Sequence, residues 1–136
     1  MNLKLTKLLL AVAGSVFCWS ALAEIVLVVN PKNPAGNLTA EQVSQFYLGI
    51  SNSFVPVDQA ESSPLRAEFY RKVTQREPGQ VRAIWAKLTF TGKGRPPKEY
   101  ASDEEVKKAV ASDPNGIGYI AKSSVDASVK VVLSVP

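Results

Sequence analysis

The chain has 136 residues, a net charge of +4, one cysteine and no histidine. A length of this order supports one domain with one core. Without histidine, and with a single cysteine that falls in an N-terminal leader-like segment, there is no Ser-His or Cys-His nucleophilic pair, no disulfide framework and no usual zinc ligand set. The charge excess is too mild to argue for nucleic acid, and no aromatic-and-basic platform accompanies it.

The first 23 residues read as an address. Lys4 and Lys7 form a basic start, Leu8 to Phe17 is apolar, and Ala21-Leu22-Ala23 is a small-x-small cleavage pattern before Glu24. The apolar run is too short for a spanning helix. Cleavage after Ala23 would remove Cys18 and lower the net charge to +2. A lipid on Cys18 is the alternative, disfavoured by the bulky Phe17 before it. The expected organisation is a signal peptide over 1–23 and one domain over 24–136, exported to the periplasm and not membrane-spanning.

Ile25 to Val29 is an unbroken β-branched and aliphatic run, the pattern of a strand buried on both faces. Asn30 to Asn37 is turn-rich. Leu38 to Gly49 predicts a helix: Thr39 and Gln42 form a capping box, Leu38 can staple against Val43, and Gly49 supplies the stop. Phe54, Val55 and Val57 predict a short strand, followed by a polar turn that includes Asp58 and Gln59. Ser63 then caps a helix with Pro64 in its first turn. Leu65, Phe69, Tyr70 and Val73 form its apolar face, with Arg66 off that face.

Pro78 opens another helix, in which Val81, Ile84, Trp85 and Leu88 follow helical spacing and Trp85 anchors the core. Phe90 to Lys98 is a Gly/Pro loop with three cations, and it lacks the spacing of a nucleotide-binding loop. Ser102 and Glu105 form a second capping box, and Val106, Ala109 and Val110 give that helix a narrow apolar face. Ile117 to Ile120 and Val129 to Val135 are the last strands, with Gly118 marking a close backbone approach. Strands separated by helices predict an α/β three-layer sandwich with a mixed sheet of about four or five strands.

One stretch carries the functional expectation. A helix starting at the end of a strand aims free N–H groups at whatever sits there. Ser62, Ser63 and Arg66 surround that start and are the candidate ligand-binding residues. The adjacent Glu104 and Glu105 diverge on a helix and do not make an acid/base pair, so no catalytic residue, cofactor or metal is expected.

Val28-Val29-Asn30-Pro31, Leu38 to Val43, Phe46 to Gly49, Val55-Pro56-Val57, Ser62 to Arg66, Trp85, Phe90 to Gly94 and Gly116 to Ile120 together resemble the PstS-like phosphate ABC transporter substrate-binding proteins. The resemblance covers nearly all of 24–136. It implies one lobe of a type II periplasmic binding protein, no enzymatic activity, a small phosphate-like oxyanion as ligand, and an ABC permease or another envelope protein as partner. Two departures stand out. The Gly-rich opening segment of the long family members has no counterpart, and their Ser-Gly-Thr turn appears as Ser63-Pro64-Leu65, where proline removes a donor. An arginine that usually precedes this turn is replaced by Asp58 and Gln59, and Arg66 is the cation that can stand in. The alternative is an envelope protein–protein interaction module that has lost ligand binding, which exposed Tyr47, Tyr70 or Tyr100 would support.

Overall fold

The computed structural model describes residues 24–136. The segment expected to be a signal peptide, 1–23, with Cys18, lies outside the described residues. β1 (Ile25–Val29) forms the middle of the core, and all five of its residues are almost fully buried. Its side chains alternate between two apolar clusters. Ile25, Leu27 and Val29 meet Val43, Tyr47, Phe69 and Trp85 on one face. Val26 and Val28 meet Val106 and Val110 on the other. The unbroken apolar run is therefore explained by helices covering both faces of the sheet.

The sheet has five strands in the order β3-β2-β4-β1-β5. β2 (Val55–Gln59) runs parallel to β3 (Lys98–Tyr100) and to β4 (Gly116–Ala121). β1 is antiparallel to β4 and to β5 (Lys130–Val135). The sheet is mixed, as expected, and β3 is an addition to the predicted elements. Three charged or aromatic residues, Lys98-Glu99-Tyr100, carry no strand pattern of their own and are recruited by pairing with β2.

α1 (Ala40–Tyr47) starts at the Thr39–Gln42 capping box, and Gly49 stops it with a φ of 72°. α2 (Pro64–Phe69) is capped by Ser63 and continues as a π-helical turn over Tyr70–Thr74. α3 (Pro78–Phe90) buries Val81 and Trp85, with Ile84 and Leu88 packed at the cluster's margin. α4 (Asp103–Ser112) covers the opposite face. Its second capping box is shifted by one residue: Ser102 caps the Glu105 N–H, but the Glu105 carboxylate accepts from Ala101. Gly118 sits beneath α4, where a Cβ would stand 2.6 Å from Val106 Cγ1 and 2.9 Å from Val57 Cγ2. The close approach read from the sequence is thus a strand–helix contact that only hydrogen fits. Among the described residues no helix is long and apolar enough to cross a membrane.

Candidate functional site

β2 does not end at Val57. It continues through Asp58 and Gln59, which the sequence placed in the turn and which are buried. In the parallel register Asp58 lies opposite Glu99 on β3, so both carboxylates project to one face of the sheet. That face is covered by α2 and its π-helical extension, which bring Arg66 and Tyr70 over the pair.

Asp58 is the hub. Its Oδ1 accepts from the Tyr119 hydroxyl at 2.5 Å and from the Gln59 N–H at 2.8 Å. Its Oδ2 accepts from the Tyr70 hydroxyl. Burial pushes the Asp58 carboxyl above the ordinary carboxylate range, against the opposing pull of Tyr119, Tyr70 and Arg66. Burial and the nearby Asp58 charge both push the Tyr70 and Tyr119 hydroxyls up, so each stays protonated as a donor.

Arg66 lies inside the fold, only 8% exposed, which corrects the expectation that it points off the buried face. Its Nη1 donates to the Gln59 carbonyl at 3.1 Å and to Glu99 Oε1 at 2.6 Å. Its Nη2 stands 3.9 Å from Asp58 Oδ2. Its Nε is buried and has no hydrogen-bond partner. Burial works against the guanidinium charge, but Asp58 and Glu99 outweigh it and hold Arg66 protonated. Two carboxylates thus face one guanidinium.

The serines do different work. Ser63 Oγ caps the Leu65 N–H at 3.3 Å and donates to Gln59 Oε1 at 2.5 Å. Gln59 in turn donates to Asp103 and to the Tyr119 carbonyl, tying the start of α2 to α4. Ser62 lies exposed in the preceding turn. The Arg66 N–H is also engaged, by the Ser63 carbonyl at 3.2 Å. The first turn of α2 therefore keeps few free donors, and Arg66 is the one cation among the three predicted residues.

Above this cluster opens a cleft of about 490 Å³, floored by Asp58, Arg66, Tyr70 and Glu99 and walled by Trp85, Phe90 and Pro96. Asp58, Glu99, Tyr70 and Tyr119 were not among the predicted site residues. A polar Asp-Gln pair directly after an apolar strand and directly before a capped helix is the signal that points to them, because ligands of α/β sheets gather at such strand ends. Tyr47 and Tyr70 are fully buried, with Tyr47 donating to the Val57 carbonyl at 2.8 Å, so neither offers an exposed docking aromatic; Tyr100 is partly exposed.

No protein-family model and no curated protein sequence matches the chain. Solved structures do. An ABC-type phosphate transport receptor from Vibrio cholerae superposes with a TM-score of 0.64 at 23% identity, covering 81% of this chain and 45% of that one. A structure described as a phosphate ABC transporter substrate-binding protein with bound phosphate, from Clostridium perfringens, gives 0.67 at 23% identity, over 81% and 44%. The fold is that of one lobe of a PstS-like protein. PstS from Borrelia burgdorferi agrees, with a TM-score of 0.62 at 14% identity. This chain spans less than half the length of these structures. Its strand-to-helix turn differs from its own sequence expectation chiefly in the carboxylates that already surround Arg66.

Proposed function

We propose that this chain is a non-enzymatic, periplasmic binding protein of the ABC-transporter substrate-binding kind, and that its ligand is a small oxyanion of the phosphate type held at Arg66. The observation that carries this reading is the buried guanidinium with an unpartnered Nε, set at the floor of a cleft beside a strand end. A buried donor without an acceptor is costly, and an anionic oxygen is the acceptor that suits it best. The likeness to one lobe of phosphate receptors supports the same assignment. Ser63 would contribute indirectly, because its hydroxyl is already spent on the Leu65 N–H and Gln59. Ser62, exposed in the preceding turn, is the serine whose hydroxyl could still be offered to the anion. An ABC permease or another envelope protein would receive the loaded protein.

Glu99 sets the affinity. It is half exposed and holds Arg66 Nη1, so an incoming anion must displace it. Binding is therefore expected to be weak in the free lobe. Calorimetric titration of phosphate at fixed ionic strength tests the reading. Arg66→Ala should weaken binding by about 1.5–3 kcal/mol, the range for charged hydrogen bonds. Arg66→Lys should recover only part, because an ammonium lacks the bidentate fork. Because Arg66 is buried and ion-paired, each variant's melting curve must accompany its isotherm.

The interaction-module reading has one observation in its favour: Asp58 and Glu99 already neutralise Arg66. A protein that shows no phosphate or sulfate response in calorimetry or melting would belong to that class.

A further inference from the structure

A second cleft, of about 610 Å³, opens where β2, β3 and β4 begin, with Val55, Lys98 and Gly116 at its edge. This is the opposite end of the parallel strands from Asp58 and Gln59. Trp85 and the Pro96-Pro97 strap form the wall it shares with the Arg66 cleft. Its floor is apolar: Phe46, Phe54, Trp85 and Leu88 line it, and Tyr100 closes one side. Val55 adds an aliphatic edge that is 49% exposed.

The rim is cationic. Lys93, Arg95 and Lys98 border the cleft and are exposed. Among the described residues none of the three has an ion-pair partner. The one carboxylate in the lining, Asp113, already accepts from the Asn115 N–H at 2.9 Å. The Lys98 ammonium sits 5.5 Å from the centre of the Tyr100 ring, an attraction that holds it at the cleft.

The shape is built in. A Cβ at Gly49 would stand 2.6 Å from Leu88 Cδ1, and one at Gly94 would stand 3.3 Å from Trp85 Cζ3. Both flanking loops therefore rest their backbones directly on the floor residues. A cleft of this size with apolar walls and a few placed polar groups is the usual form of a small-molecule site.

We propose that this cleft binds a small organic anion with an apolar body, such as a carboxylate, sulfonate or phosphate monoester bearing an alkyl or aryl group. The floor offers an inorganic oxyanion nothing to offset its lost hydration. A neutral hydrocarbon leaves the three cations unused, and an organic cation meets them as like charge. Only an amphiphilic anion uses both floor and rim. The assignment is independent of Arg66 and stands or falls without it.

Octanoate is the probe, titrated calorimetrically into the protein at fixed ionic strength. Acetate carries the charge without the body, and 1-octanol carries the body without the charge. Octanoate should bind saturably and at least tenfold more tightly than either. The double variant Lys93→Glu, Arg95→Glu should lose at least tenfold while keeping the wild-type melting curve, because both side chains are exposed. Excess phosphate should leave the octanoate isotherm unchanged. Amide and indole NMR shifts in the wild-type protein should move at Trp85 and Gly94, which tests the location without any variant. The proposal is overturned by non-saturable octanoate binding, by equal binding of 1-octanol, by displacement with phosphate, or by shifts confined to residues away from this cleft.

Discussion

Replacing Trp85 tests the packing on which both clefts depend. The indole is 9% exposed, lies under the backbones of Gly49 and Gly94, and donates from Nε1 to the Tyr47 carbonyl at 2.8 Å. Truncating a core tryptophan to alanine costs about 3–5 kcal/mol. Here the hole would open into two clefts and admit water, which places the packing loss near the lower end. Losing the hydrogen bond to the Tyr47 carbonyl adds at most roughly 1 kcal/mol, because the water admitted there can replace the indole N–H. Trp85→Ala should therefore lose about 3–4 kcal/mol, which lowers a urea midpoint by roughly 2 M at the slope of a small domain. Trp85→Phe keeps a ring and loses the N–H donor, and should lose only about 1–2 kcal/mol. Far-UV circular dichroism across a urea series reads both. An unchanged midpoint for Trp85→Ala would place the indole outside the cooperative core. Equal losses for the two variants would show that the hydrogen bond, and not the buried ring, carries the effect.

Gly118→Ala should destabilise by about 1–3 kcal/mol in the same assay, because its methyl group would overlap Val106 and Val57 beneath α4; a neutral result would mean that the helix lifts freely. Asp58 predicts a pH effect. Its folded-state pKa is raised above the ordinary carboxylate value, so the stability it contributes is complete below that value and is lost as pH rises through the raised one. Asp58→Asn should flatten the fall in melting temperature between about pH 4 and the pH at which Asp58 ionises in the fold, and superimposable profiles would refute this.

What the sequence made legible was local or periodic. The Thr39–Gln42 capping box, the Ser63 cap with Pro64, and the Val81–Trp85 face lie within one or two helical turns, and each forms as read. The apolar run of β1 announced helices on both faces because nothing else can cover five successive buried residues. The candidate site was less visible because its partners come from far along the chain. Asp58 and Gln59 look like turn residues until Tyr119, 61 and 60 positions away, satisfies them. Glu99 belongs to a three-residue strand that exists only through pairing with β2, and it reaches Arg66 across 33 positions. Spacing alone cannot show that a cation at a helix start is already claimed by two carboxylates from neighbouring strands. The exposure of the tyrosines stayed open for a related reason. Tyr47 and Tyr70 sit at the ends of amphipathic faces, where sequence leaves exposure open, and their hydroxyls go inward to Val57 and Asp58.

The central claim is that Arg66 holds an oxyanion once Glu99 gives way. Glu99→Gln keeps the side chain's size, removes one of the two carboxylates facing Arg66, and changes a half-exposed position whose loss the fold tolerates better than that of Asp58. Parallel phosphate titrations of wild type and Glu99→Gln at one ionic strength measure the competition directly. The account predicts saturable heat in both proteins, with phosphate bound at least tenfold more tightly by Glu99→Gln, about 1.4 kcal/mol. Two folded proteins that give no saturable heat, or equal affinities in both, would contradict it.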